Sequence, residues 1–319
     1  IPAAPPPAPE LVVDANPFAV TWRNLADARE IRAVWLSILG ISWFWLFGAL
    51  FLAQFPAYAK TVLGGGESSV TLLLATFTVG VGAGSLVCER LSGHRVELGL
   101  VPFGSIGLSL FALDFALASP ATPYADAPLG MLLAEPGVWR LLLDLALIGV
   151  FGGCFIVPLY ALVQQRSRPE RRARIIAANN IVNALFMVAG ALGASLLLGA
   201  GWSLPRLFAL AAGVNALVAA YIYTLVPEFL LRFVVWLGMR GAGRLRAHGF
   251  GALPADGAAL IRFDGAHPPR ARELLRIMAA CERPLALLLD VTLLGRPLVG
   301  RLLRAGGACA DDLEHARAA

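Results

Sequence analysis

Few side chains in this sequence are able to do chemistry, and most of those lie inside long apolar runs. Asp144 follows Arg140 by four residues within one run, and Asp114 sits near the end of another. An ionised side chain at mid-membrane costs roughly 2.5–3.5 kcal/mol on insertion scales, so each such residue is a functional candidate. For Asp144 two readings stand. One is an i,i+4 ion pair with Arg140 whose charged ends reach water; the other is a polar-cavity or coupling residue. Asp114, close to its helix end, reads as an interfacial carboxylate. Asn179 and Asn183 share one helical face, with Asn180 beside them; amides on a stripe suit interhelical hydrogen bonds as readily as head-group recognition. Gln54, Tyr58 and Lys60 fit either a phosphate head group or an interfacial belt.

Other chemistries find little support. The four cysteines (Cys88, Cys154, Cys281 and Cys309) are far apart, with no C-x-x-C pair and no histidine at ligand spacing. That pattern supports neither a zinc site nor a disulfide framework. The net charge is +5, but the basic residues cluster at the ends of apolar runs, which speaks against nucleic acid as a partner.

The elements that must position these residues are membrane spans. Apolar stretches run over 33–55, 69–88, 98–118, 139–163, 175–199 and 205–226. A helix needs about 20 mostly apolar residues to cross the hydrocarbon layer. Composition agrees, with 58% hydrophobic and only 15% charged residues and a mean hydropathy of +0.72. The chain is therefore expected to be an all-α membrane protein with six transmembrane helices. Its bilayer is its first partner.

Arginines fix an expected orientation. Arg23, Arg29 and Arg32 precede the first span, Arg90 and Arg95 follow the second, and Arg166, Arg168, Arg171, Arg172 and Arg174 follow the fourth. Arg232, Arg240, Arg244 and Arg246 follow the sixth, whereas the alternate loops carry little positive charge. This bias places both termini and the two basic loops in the cytoplasm. The opening IPAAPPPAPE is proline-rich, so 1–30 reads as a cytoplasmic linker and implies a preceding segment.

Glycines are expected to pack helices first. Gly80 and Gly84 form a G-x-x-x-G, as do Gly149 and Gly153, while Gly190 and Gly193 add a small-residue face. Pro158 is expected to kink or hinge the fourth span.

Several strings carry a family resemblance. The loop Gly84-Ser-Leu-Val-Cys-Glu89-Arg90-Leu-Ser-Gly93-His94-Arg95 resembles the G-x-x-x-D-R-x-G-R/K loop of major facilitator transporters, with Glu for Asp and one extra residue before the glycine. Gly84, Glu89, Arg90, Gly93 and Arg95 would then form a conformational-switch loop, whose acid pairs with arginines in one transporter state. SWFW (42–45), FPAYAK (55–60), CERLSGHRVELGLVPFG (88–104), VPLYALVQQRS (157–167) and RARIIAANNIVNALFM (172–187) look like the C-terminal half of the bacterial lysophospholipid transporter family. That resemblance implies one six-helix half over 31–228 and lysophospholipid as substrate. It also implies the bacterial inner membrane, an N-terminal six-helix half (missing here) or a second copy as partner, and no cofactor. Under it, Gln54, Tyr58, Lys60, Asp144, Asn179 and Asn183 are the candidate substrate contacts.

In many bacteria this family is fused to a glycerophospholipid acyltransferase, and 229–319 is similar to the start of one, a partial α/β tail. The catalytic N-H-x-x-x-x-D of that enzyme is absent. His267 is followed at the fifth position by Arg272 and at the sixth by Glu273, and His-Pro-Pro stiffens the segment. No catalytic residue is assigned, and the chain is not expected to be an enzyme. Three rivals remain open: a proton-coupled exporter that depends on Asp144, a membrane-tethered acyltransferase-related protein in phospholipid remodelling, and a non-transporting scaffold.

Overall fold

The computed structural model describes residues 16–92, 99–124 and 128–225, together with two strand segments, 287–289 and 308–310. Its helices are α1 (Pro17–Arg29), α2 (Arg32–Thr61), α3 (Glu67–Ser92), α4 (Leu100–Ala118), α5 (Leu129–Ala134), α6 (Pro136–Arg166), α7 (Arg172–Gly199) and α8 (Leu204–Leu225). Six of these, α2, α3, α4, α6, α7 and α8, are long and apolar enough to cross a membrane. The chain is a multi-pass helical membrane protein by this criterion. The strands β1 (Leu287–Leu289) and β2 (Ala308–Ala310) pair in parallel, Leu287 opposite Ala308. That pair alone does not define an acyltransferase-like domain; His267, Arg272 and Glu273 lie outside the described residues.

Two boundaries differ from the sequence reading. The first span continues through Pro56 to Thr61 instead of ending at residue 55. In lipid, breaking the helix would expose further backbone groups, so one missing N–H is tolerated. The stretch 1–30, expected as linker, contains α1. Asn16 caps it by accepting from the N–H groups of Phe18 and Ala19, and Pro17 follows at the first helical position. Pro158 lies inside α6, which continues past it to Arg166.

Around the bundle, the triplets α2–α3–α4 and α6–α7–α8 pair by exchange. α3 lies against α6 as α7 lies against α2, while α4 packs on α8 and α2 on α6. The exchange is incomplete: α4 also packs broadly on α6, whereas α8 touches α2 only slightly.

Small residues set the closest seam. An added Cβ at Gly149 would lie 2.6 Å from the Phe77 carbonyl oxygen, and one at Gly153 would lie 2.6 Å from the Ser85 nitrogen. Gly80 and Gly84 meet the α6 backbone at Ala146 and Val150 in the same way. Both G-x-x-x-G motifs thus face each other across α3 and α6, the packing role expected of them. Gly190 meets Leu46 of α2, whereas Gly193 has nothing close to its Cβ position.

At the centre, Phe47, Phe51, Phe55 and Tyr58 recur along one face of α2 and are buried. Phe51 stacks on Phe208 of α8 with centroids 4.3 Å apart, and Phe115 of α4 packs on both Phe51 and Tyr58. The α2–α3 turn closes on Gly64, whose φ of 70° suits glycine. A side chain there would strike the Tyr124 carbonyl.

Candidate functional site

One turn of α2 organises the polar contacts in the α1-side half of the bundle. Within the SWFW string, Ser42 donates to Asn183 Oδ1 of α7 at 2.7 Å, and Trp43 Nε1 donates to Asn215 Oδ1 of α8 at 2.7 Å. Trp45 Nε1 donates to the Tyr160 hydroxyl of α6 at 3.0 Å, and Phe44 stacks on Phe155. Consecutive helical residues point about 100° apart, so four neighbours address three surrounding helices. Asn215 completes a junction by donating to the Ser105 carbonyl and to Ser109 Oγ of α4, each at 2.9 Å.

Asn183 is therefore engaged in helix packing. Asn179, one turn earlier, is buried and donates weakly to Asn180 at 3.5 Å, while its Oδ1 has no partner among the described residues. Asn215 was not singled out from sequence. Its signal was an amide in the middle of the sixth apolar run, with nothing local to show which helices it would join.

The opposite end of the bundle holds Asp114 and Asp144. Arg140 does not pair with Asp144 one turn along its own helix. It reaches across to Asp114 of α4, Nη2 to Oδ1 at 2.5 Å and Nε to Oδ2 at 3.2 Å. A planar guanidinium fits both oxygens of one carboxylate, which favours the two-point contact. Asp144 is only 3% exposed, and its Oδ2 has no hydrogen-bond partner among the described residues. The i,i+4 pairing is thus corrected, and Asp114 is a member of an ion pair between two helices.

Gln54, Tyr58 and Lys60 are not brought together. Tyr58 turns inward, fully buried, with its hydroxyl 2.7 Å from Ser119 Oγ. Lys60 is exposed. Gln54 lines a groove of about 540 Å³ between α2 and α7, with Ala49, Ala53, Val188, Ala191 and Ser195 among its walls. Alanines keep the groove open, and Gln54 and Ser195 are its polar groups.

In the loop resembling a switch, Gly84 is packed against α6, while Glu89 and Arg90 are exposed at the end of α3. Gly93 and Arg95 lie outside the described residues. A different charge cluster sits at this end of the bundle: Arg171 contacts both Asp27 and Glu30, Arg174 lies 3.5 Å from Asp27, and Arg168 lies 3.8 Å from Glu30. These acids lie at the C-terminal end of α1 and join it to the start of α7. Among the described residues, no group of three or more His, Cys, Asp or Glu is arranged to hold a metal ion. No protein-family profile matches this chain, and neither the curated proteins nor the solved structures give a match.

Proposed function

We propose that this chain is a six-helix unit of a major facilitator-type transporter that translocates lysophospholipids across the bacterial inner membrane by alternating access. The groove between α2 and α7 is the observation that carries this reading. It combines an apolar lining with two small polar groups, Gln54 and Ser195. A single-chain lipid requires that combination: hydrocarbon for its tail and a few hydrogen bonds for its polar part. Exchange pairing of the two helix triplets supports the transporter architecture, because inverted three-helix repeats place first and second helices against one another.

In this reading the arginine-rich α1 end faces the cytoplasm, together with both termini. α7 presents Leu185, Leu192 and Leu196 outward along one stripe. That stripe offers a surface to another six-helix unit, either an N-terminal half or a second copy. The tail is a non-catalytic acyltransferase-like piece. The experiment is photo-crosslinking of the reconstituted protein with a lysophosphatidylethanolamine carrying a photoreactive acyl chain. Adducts on α2 and α7 around Ala53 and Ala191 are expected; adducts spread over lipid-facing residues alone would refute the groove.

A second reading, proton-coupled export of small molecules, draws on Asp144. A buried carboxylate with an unpartnered oxygen is the kind of group such coupling uses. It requires that transport collapse with the proton gradient and with Asp144→Asn.

A further inference from the structure

Helix α1 has two chemically different flanks. Asn24 and Ala28 are buried, and Asp27 pairs with arginines at the start of α7. On another flank Phe18, Trp22, Leu25 and Arg29 recur at i, i+4, i+7 and i+11, one helical stripe. Phe18 is 86% exposed and Trp22 68%. Two large aromatics turned outward by a capped helix need an environment.

Position supplies it. Only Glu30 and Ile31 separate α1 from the membrane-spanning α2. At about 3.5 Å of chain per residue, the end of α1 lies within about 10 Å of the start of that span. The interfacial layers add roughly 10–15 Å in total to a hydrocarbon core of about 30 Å, so this distance keeps α1 near the bilayer surface. A side-chain contact ties this end of α1 to the span as well. The Arg29 guanidinium sits 4.7 Å from the ring centroid of Trp35, one turn into α2, a cation–π contact. Arg29, the last residue of the stripe, thus touches α2, the paired acids hold the opposite flank to α7, and Phe18 and Trp22 are left facing outward.

We infer that α1 is an interfacial helix, and that Phe18 and Trp22 insert at the head-group and acyl boundary of the leaflet at the α1 end of the bundle. A lipid surface is its partner. Aromatic rings are enriched at that depth because it wets one edge and buries the rest. The ion pairs with Arg171 and Arg174 then couple the start of α7 to the membrane surface. This inference stands whether or not the protein moves lysolipids.

The test uses the full chain in vesicles of phosphatidylethanolamine and phosphatidylglycerol, comparing the tryptophan emission of wild type with Trp22→Phe. The difference isolates the Trp22 signal. Lipids brominated near the head group should remove that signal, and aqueous iodide should leave most of it. Quenching by iodide without quenching by bromolipid would overturn the proposal, because Trp22 would face water. Indifference to both would overturn it too, since protein would cover the ring. As a second measurement, Phe18→Glu with Trp22→Glu should speed backbone hydrogen exchange across α1 while α4 and α6 keep their protection. Unchanged exchange in α1 would count against the membrane contact.

Discussion

Substituting alanine at Gly149 tests the packing argument in the close seam between α3 and α6. A Cβ added there lies 2.6 Å from the Phe77 oxygen, 2.7 Å from the Val81 nitrogen and 2.8 Å from the Gly80 carbonyl carbon, all backbone atoms of α3. No rotamer change relieves such a contact. Ordinary contact begins near 3.4 Å, so the helices must separate by 3.4 − 2.6 = 0.8 Å. A gap of 0.5–1 Å forfeits about a quarter to a half of each dispersion contact along the seam, and overpacking of this kind costs about 1–3 kcal/mol. Alanine returns up to about 1 kcal/mol of helix propensity, which sets the sign of a control. Gly82 on the same α3 has nothing within 4 Å of its Cβ position, so Gly82→Ala should be neutral or mildly stabilising. Net of that return, we expect Gly149→Ala to destabilise by about 1 kcal/mol, roughly fivefold in the folding equilibrium. The assay is unfolding of both variants in the same bilayer mimic, read by steric trapping. Equal stability of the two variants would refute the close-seam account.

Other consequences follow from single contacts. A double-mutant cycle on Ser42→Ala and Asn183→Ala should give a coupling of about 0.6 kcal/mol and at most about 1.7, the range for hydrogen bonds between membrane helices; zero coupling would mean the pair does not form in lipid. Arg140→Gln should lower the folded yield by leaving Asp114 without its cation, and adding Asp114→Asn should restore it. If Asp144→Asn rescues instead, the Arg140 partner is misassigned. Gly64→Ala combines a left-handed backbone with a clash at Tyr124 and should cost about 1–3 kcal/mol in the same unfolding measurement; a neutral result would mean that this turn relaxes freely.

The spans were legible because length and apolarity alone specify a membrane helix. Both G-x-x-x-G motifs were legible for a related reason: small residues at that spacing have few other uses in lipid. Pairings between helices were not. Arg140 has a carboxylate four residues away in sequence, yet it reaches Asp114 on α4, a choice made by the register of two packed helices. Asn215 likewise joins α2, α4 and α8, which no local pattern encodes. The inward turn of Tyr58 follows from the ring stack around Phe208 and was invisible in a string that reads equally well as an interfacial belt. Helix α1 did announce itself through Asn16-Pro17, a cap followed by a proline at the first helical position, but the proline-rich stretch before it masked that signal.

Transport itself tests the central claim most directly. Vesicles containing the chain as its cell makes it would be supplied with labelled lysophosphatidylethanolamine, with and without a proton gradient, alongside Ala53→Trp to fill the groove. Uptake indifferent to the gradient and abolished by Ala53→Trp is the predicted result. Uptake that ignores Ala53→Trp, or none at all from a folded and inserted protein, would contradict lysolipid translocation through this groove.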